Sequence, residues 1–395
     1  MKYWRGYLTA AIIALFTWAL MGFCASHSML VDMVYPYVSR MIQTFLAQWS
    51  SGADFCVWQV ILVVMVVGAV ASAVMMIILR WNPIQWFGWI LTIVSVCFLL
   101  HSGVYGMNVY AGTIADDIRL ELTGYTMEEL EDAAAYYRDQ ANALATKVNR
   151  DGSGKVAYSS FRELAEQAAA GYEVLVYEES MSIFAGSMVP VKELGWAERY
   201  TEKGILGTTV PLTGEAAVNL DAPAVSLPFV ICREMARRMC ISAEGDANLS
   251  AFLACRANPS QEYQYAAWFM AYHYTYNALL SMDEEDARAA AQRVNAEVSD
   301  LLRQDLASYN AFFSGSKNDK NLIDATNKTY NDARKGAYKE VSTCDLLVSW
   351  HIQEVVLPTQ EEEGTSRFDP YDETKVDLSG IVNAKKNESD ADDSQ

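Results

Sequence analysis

Three unbroken apolar runs dominate the start of this chain, and helical periodicity replaces them afterwards. The runs cover about residues 7–25, 57–79 and 84–105 and contain no Asp, Glu, Lys or Arg. Each is close to the roughly 20 residues that a bilayer-crossing helix needs. The first reads as a signal anchor rather than a cleaved signal peptide. Trp18 and Phe23 interrupt it, and no small-x-small cleavage site follows. Lys2, Arg5 and the Arg80 turn then fall on the cytoplasmic side, and Trp58, Trp81, Trp86 and Trp89 near span ends. Residues 26–56 and everything after the third run are expected outside. The "GAVAS" stretch at residues 68–72 offers small side chains for close helix packing.

Beyond residue 106 the period is that of amphipathic helices. Thr126 and Glu129 form a capping-box pattern. It opens a helix to about Val148, with Leu130, Ala134, Tyr137, Ala141, Leu144 and Val148 on one face. "NRDGSGKVAYSS", residues 149–160, has the outline of a calcium loop. Ser160 stands where the bidentate Glu is needed, so a glycine-rich turn is expected instead. Residues 172–178 suit either a short strand or a helix. Residues 204–220 are Thr/Val-rich, broken by glycine, and read as extended structure. A helix is predicted with Pro228 in its first turn, and others near 245–257, 261–281, 284–314 and 338–354. From residue 359 the chain is acidic and poor in core residues, a disordered tail.

Charge sharpens this division. The chain holds 30 basic and 49 acidic residues, a formal net charge of −19. Lys2, Arg5, Arg40 and Arg80 oppose only Asp32 and Asp54 in the first 106 residues. The negative charge therefore lies beyond the apolar runs, and such a surface repels nucleic acid. With no Asp, Glu, Lys or Arg in the spans, an anchor is expected rather than a transporter or channel. Seven cysteines without paired short spacings make no disulfide framework. Four histidines, His27, His101, His273 and His351, offer no pair at helical ligand spacing.

The candidate chemistry lies in "ICREMARRMCISAEGDAN", residues 231–248. Zinc peptidases use H-E-x-x-H because imidazoles at i and i+4 share one metal while the intervening Glu serves as base. Here the frame reads Arg233-Glu234-Met235-Ala236-Arg237, followed seven residues later by Glu244. Arginine pairs beside acids are ordinarily solvated helix faces, but the flanks add order. Thr213-Gly214-Glu215 with Val218-Asn219 comes first, then Leu227-Pro228-Phe229. Ala247-Asn248 and Ala254-Cys255 follow the motif. This succession resembles the core of a bacterial zincin-like membrane family, domain of unknown function 3810. Residues 335–350 resemble its C-terminal helix.

The resemblance implies a metallopeptidase-like site, with Glu234 at the general-base position and Arg233, Arg237 and Glu244 at the metal-ligand positions. It also implies that Glu215, Asn219, Asp246 and Asn248 line a cleft, and that zinc is the family's cofactor. Guanidinium has no lone pair to give a metal. Zinc is therefore expected to be lost, with the arginines taking over its charge by pairing with Glu244, and with Asp246 or Glu215 as further partners. Cys232, Cys240 and His273 are conceivable replacement ligands. Cys240 and Cys255 otherwise read as buried thiols, and His273 as a packed core residue. Residues 215–219 suit an edge strand that pairs with an extended peptide.

The sequence thus predicts a mainly α protein. Three transmembrane helices (1–106) precede an extracytoplasmic zincin-like domain (107–358) with a small β element, then the tail (359–395). The expected role is a multi-pass cell-membrane pseudopeptidase that binds a peptide or protein and uses no cofactor. An active zinc peptidase with unusual ligands and a purely structural membrane protein are the alternatives.

Overall fold

The computed structural model describes residues 4–122, 124–282, 284–315 and 341–359. The predicted acidic tail and the first residues of the predicted 338–354 helix lie outside them. Four long helices open the chain: α1 (Arg5–Ser26), α2 (Ser28–Ser50), α3 (Val57–Ile78) and α4 (Pro83–Val104). Helices α1, α3 and α4 are long and apolar enough to cross a membrane and match the predicted spans closely. Their outward apolar side chains have no place in water, so this is a membrane protein. The predicted loop at 26–56 is instead mostly the helix α2.

Helices α1 and α4 run side by side. A Cβ on Gly6 would lie 2.5 Å from the Gly88 carbonyl carbon, so the two backbones nearly touch. Thr92 Oγ1 donates to Gly6 O at 2.9 Å, a buried hydrogen bond across the contact. Both glycines lie near their helix starts, so α1 and α4 are parallel. The chain turns from α3 into α4 through Arg80–Asn82, where Asn82 Oδ1 accepts from Ile84 and Gln85 N–H and Pro83 needs no donor partner. Trp86 Nε1 reaches Ser72 Oγ at 3.3 Å across this hairpin.

The rest is mainly helical and packs most of its apolar side chains into one large core, with Leu194 and Ala217 in a smaller cluster beside Cys56. Its elements are α5 (Ile114–Asp117), α6 (Met127–Ala145), α7 (Phe161–Tyr177), α8 (Ala197–Thr201) and α9 (Leu227–Arg238). They continue with α10 (Glu244–Ala257), α11 (Gln261–Ser281), α12 (Glu285–Ala296), α13 (Asp300–Gly315) and α14 (Thr343–His351). The predicted capping box forms: Thr126 N–H donates to Glu129 at 2.6 Å and Glu129 N–H to Thr126 at 3.2 Å. Helix α10 is buried on all sides from Gly245 to Cys255, as expected of a helix at the centre of a domain. Tyr137, Trp268 and Trp350 each meet its Phe252 edge to face. The single helix expected at 284–314 is two, and residues 172–177 are helical within α7.

The β element is a three-stranded sheet of β1 (Lys192–Glu193), β2 (Gly207–Val210) and β3 (Glu215–Val218), in the order β1-β3-β2. Strand β3 is parallel to β1 and antiparallel to β2. It is therefore central, which corrects its reading as an edge. Residues 150–156 close a short loop through an Arg150–Val156 bridge, and Asp151 Oδ1 accepts from Ser153 and Lys155 N–H.

Candidate functional site

Helix α9 carries the sequence motif. Pro228 sits in its first turn, where no helical donor is lost, and Arg237 and Arg238 oppose the negative end of its dipole. Its register turns Glu234 inward to complete burial, while the Arg233 side chain keeps 12% exposure. Arg233 binds one oxygen of this carboxylate twice, through Nε at 3.0 Å and Nη2 at 2.9 Å. Thr209 of β2 donates its hydroxyl to the other oxygen at 3.0 Å. The same hydroxyl lies 3.0 Å from the Glu234 carbonyl and so ties the sheet to the helix.

One turn on, Arg237 Nη2 reaches Glu244 Oε2 at 3.2 Å, at the N-terminus of α10. This pair is more open, with side-chain exposures of 27% and 52%. Burial alone would lower the Arg233 pKa. The charges of Glu234 and then Glu244 outweigh it and hold the group above the ordinary arginine value. Burial raises Tyr274, which also feels Tyr309, Arg233, Glu244 and Arg237. The four charged residues and Tyr274 therefore share one electrostatic site.

The other cleft candidates lie elsewhere. Glu215 is buried under span α3: its two oxygens accept from Val57 and Trp58 N–H at 2.7 and 2.8 Å, and Lys192 Nζ sits 2.7 Å away. It caps a membrane helix and does not pair with the arginines. Asp246 accepts from Thr113 Oγ1 at 2.7 Å and lines a separate cavity of about 270 Å³ between α2 and the domain. Asn219 holds the 201–205 segment through Thr201 and Ile205, and Asn248 bonds Thr343. These four residues shape the surrounding frame. Arg233 pairs with Glu234 and Arg237 with Glu244, and Arg233 feels both carboxylates.

The conceivable replacement ligands also separate. The Cys240 thiol meets Ser39 Oγ at 3.2 Å, whereas His273 contacts Asn277 and packs against Tyr309. Cys232 and Cys255 are fully buried. Among the described residues, no three His, Cys, Asp or Glu side chains converge on one point. Zinc, which the sequence resemblance implies, does not fit this donor set: Arg233 and Arg237, the positions expected to hold ligands, carry guanidinium groups, and Glu234 and Glu244 are already paired.

Sequence reasoning missed Arg238. It is 1% exposed and has only backbone carbonyls as described partners, Ser187 O at 3.0 Å and Val189 O. Burial lowers its pKa to about 10. No local signal separates it from Arg237. Only the path of residues 187–189 makes it a buried strut. The helix end is likewise satisfied from the membrane region: Arg40 Nε donates to Met239 O at 3.1 Å, and Tyr105 Oη to Arg237 O at 3.0 Å.

Three bilayer-length helices and a large helical domain fastened to them define a membrane-anchored protein, with a compact Arg–Glu cluster at a helix–sheet junction. The chain belongs to a protein family of unknown function, DUF3810, whose profile matches residues 31–337. No curated protein and no solved structure matches it.

Proposed function

We propose that this protein is a non-catalytic relative of membrane zincin-like peptidases, with its large domain on the extracytoplasmic side, where it holds an extended peptide or protein segment. The observation that carries the reading is the engagement of Glu234. Its two oxygens are held by Arg233 and by Thr209, so the group at the general-base position serves as an electrostatic tie. The arginines supply the positive charge that a metal would otherwise give to buried carboxylates.

Strand β2 supports the binding half of the proposal. Its register pairs Thr208 with Ala217 and Val210 with Glu215, and Asn219 N–H bonds Leu206 O. The ladder bonds therefore belong to the even-numbered residues. The backbone N–H and C=O of Gly207 and Thr209 face away from β3, an open edge that an added strand can use. That edge begins beside the Arg–Glu cluster.

The test uses the full chain in lipid nanodiscs. Elemental analysis is expected to give far less than one zinc per chain, and peptide cleavage no dependence on Glu234→Gln. A random-sequence peptide array is expected to retain binders that Thr209→Pro loses and Thr209→Val keeps, because only proline removes the outward N–H. Stoichiometric zinc with Glu234-dependent cleavage would overturn the loss of catalysis. Binding that ignores Thr209→Pro, or no binding at all, would overturn the edge-strand reading.

A further inference from the structure

Helix α2 is amphipathic, and its apolar face looks away from the protein. Val31, Ser39, Arg40, Gln43, Ala47 and Ser50 are buried. They are sewn to the domain. Ser39 Oγ donates to Val104 O at 2.6 Å, Gln43 Nε2 to Pro211 O at 3.0 Å, and Arg40 Nε to the end of α9. Gly214, at φ +65°, turns between β2 and β3 directly against the helix. A Cβ there would come within 2.5 Å of Ala47 N. Met33, Tyr37, Met41, Phe45 and Trp49 recur at intervals of four and are each about 60% exposed or more; Met33 and Tyr37 border the cavity beside Asp246, and the later members of the stripe turn progressively away from the domain. The two charged residues avoid that stripe: Arg40 is buried, and Asp32 accepts from Gly112 N–H at 2.8 Å.

At about 34 Å the helix is long enough to cross a bilayer, but its connections forbid it. The C-terminal end of α1 packs through Leu20, Met21, Cys24 and Ala25 on Met107, Val109 and Tyr110, where the chain leaves α4 for the domain. The other end of α2 is also on the domain. Lys192 Nζ donates to Ser50 O and Phe55 O, and α3 starts at Glu215. Helix α2 thus leaves one span and enters the next on the same side.

We propose that α2 lies in the plane of the membrane on the domain's side, with the Met33–Trp49 stripe in the headgroup–acyl boundary of the bilayer that holds α1, α3 and α4. The two spans continuous with its ends place lipid beside it. The mixture of methionine with Tyr37, Phe45 and Trp49 suits that boundary. The bilayer surface then sets the height of the domain. The same helix fixes the last turn of α9, which carries the Arg–Glu cluster.

The test places the photo-crosslinking residue p-benzoylphenylalanine at Met41 or Phe45 of the full chain in phosphatidylcholine nanodiscs. Val66 in α3 is the lipid-exposed reference, and Leu280, exposed on the domain at the end of α11, is the aqueous one. Phospholipid adducts, read by intact mass, are expected at Met41 and Phe45 about tenfold above Leu280 and near the Val66 level. Circular dichroism matching the unlabelled chain shows that the fold is intact. Adducts at Val66 but none on α2 would overturn the proposal. Chain-to-chain crosslinks in place of lipid adducts would assign the stripe to a second copy and overturn it equally.

Discussion

Arg233→Leu removes the cation from a carboxylate that has no solvent exposure. Two effects follow. Glu234 loses both contacts to one of its oxygens, and the leucine cannot rehydrate it. Breaking a buried pair from one side costs about 3–5 kcal/mol. The Thr209 hydroxyl remains on the other oxygen and offsets about 1 kcal/mol of this. The expected loss is therefore near the low end, about 3 kcal/mol. Adding Glu234→Gln removes the stranded charge and should return most of it, leaving a deficit of about 1 kcal/mol. The assay is equilibrium urea unfolding of the full chain in nanodiscs, followed by the fluorescence of Trp268 and Trp350 in the domain core. A single-variant loss under about 1 kcal/mol, or a double variant no better than the single, would refute the view that Arg233 replaces a cation.

Three further outcomes follow from the geometry. Arg237→Ala should cost under about 1 kcal/mol and lose that effect in high salt, because its partner Glu244 is half exposed; thermal unfolding at two ionic strengths reads this. Glu215→Gln should cost about 2–3 kcal/mol and raise hydrogen exchange at Val57 and Trp58, because a buried charge pair and the α3 cap share that carboxylate. Burial pushes His351 and His273 down to about 4, so both are neutral in the fold at pH values where the unfolded chain binds protons. Their contribution is complete above the unfolded value of 6.5 and is lost as pH falls toward 4, by on the order of 3 kcal/mol for the 4%-exposed His351. His351→Phe should flatten that part of a stability–pH curve.

Legibility differed from element to element for physical reasons. The spans depend on summed apolarity over about 20 residues, a local quantity, and their ends agree within one or two residues. The Thr126–Glu129 cap is equally local. Helix α2 escaped notice because Asp32, Arg40 and Gln43 break its apolarity and Pro36 interrupts the run. Its four-residue period, Met33 to Trp49, was present in the sequence and would have found it. The motif spacing put Glu234 and Glu244 in one frame with the arginines, and the structure pairs Arg233 with Glu234 and Arg237 with Glu244. Glu215, Asn219, Asp246 and Asn248 carried no sign of their destinations, since each is spent on a contact distant in sequence.

By itself, the sequence determined the apolar spans, the mainly helical character of the domain and the order of the charged residues along α9 and α10, because periodicity and spacing act over a few turns. The tertiary structure decided which charges pair, that β3 is the middle strand, that Arg238 is a buried strut and that α2 faces outward. Those outcomes depend on which distant backbone arrives beside a side chain, and burial fixes its partner only once that backbone is there.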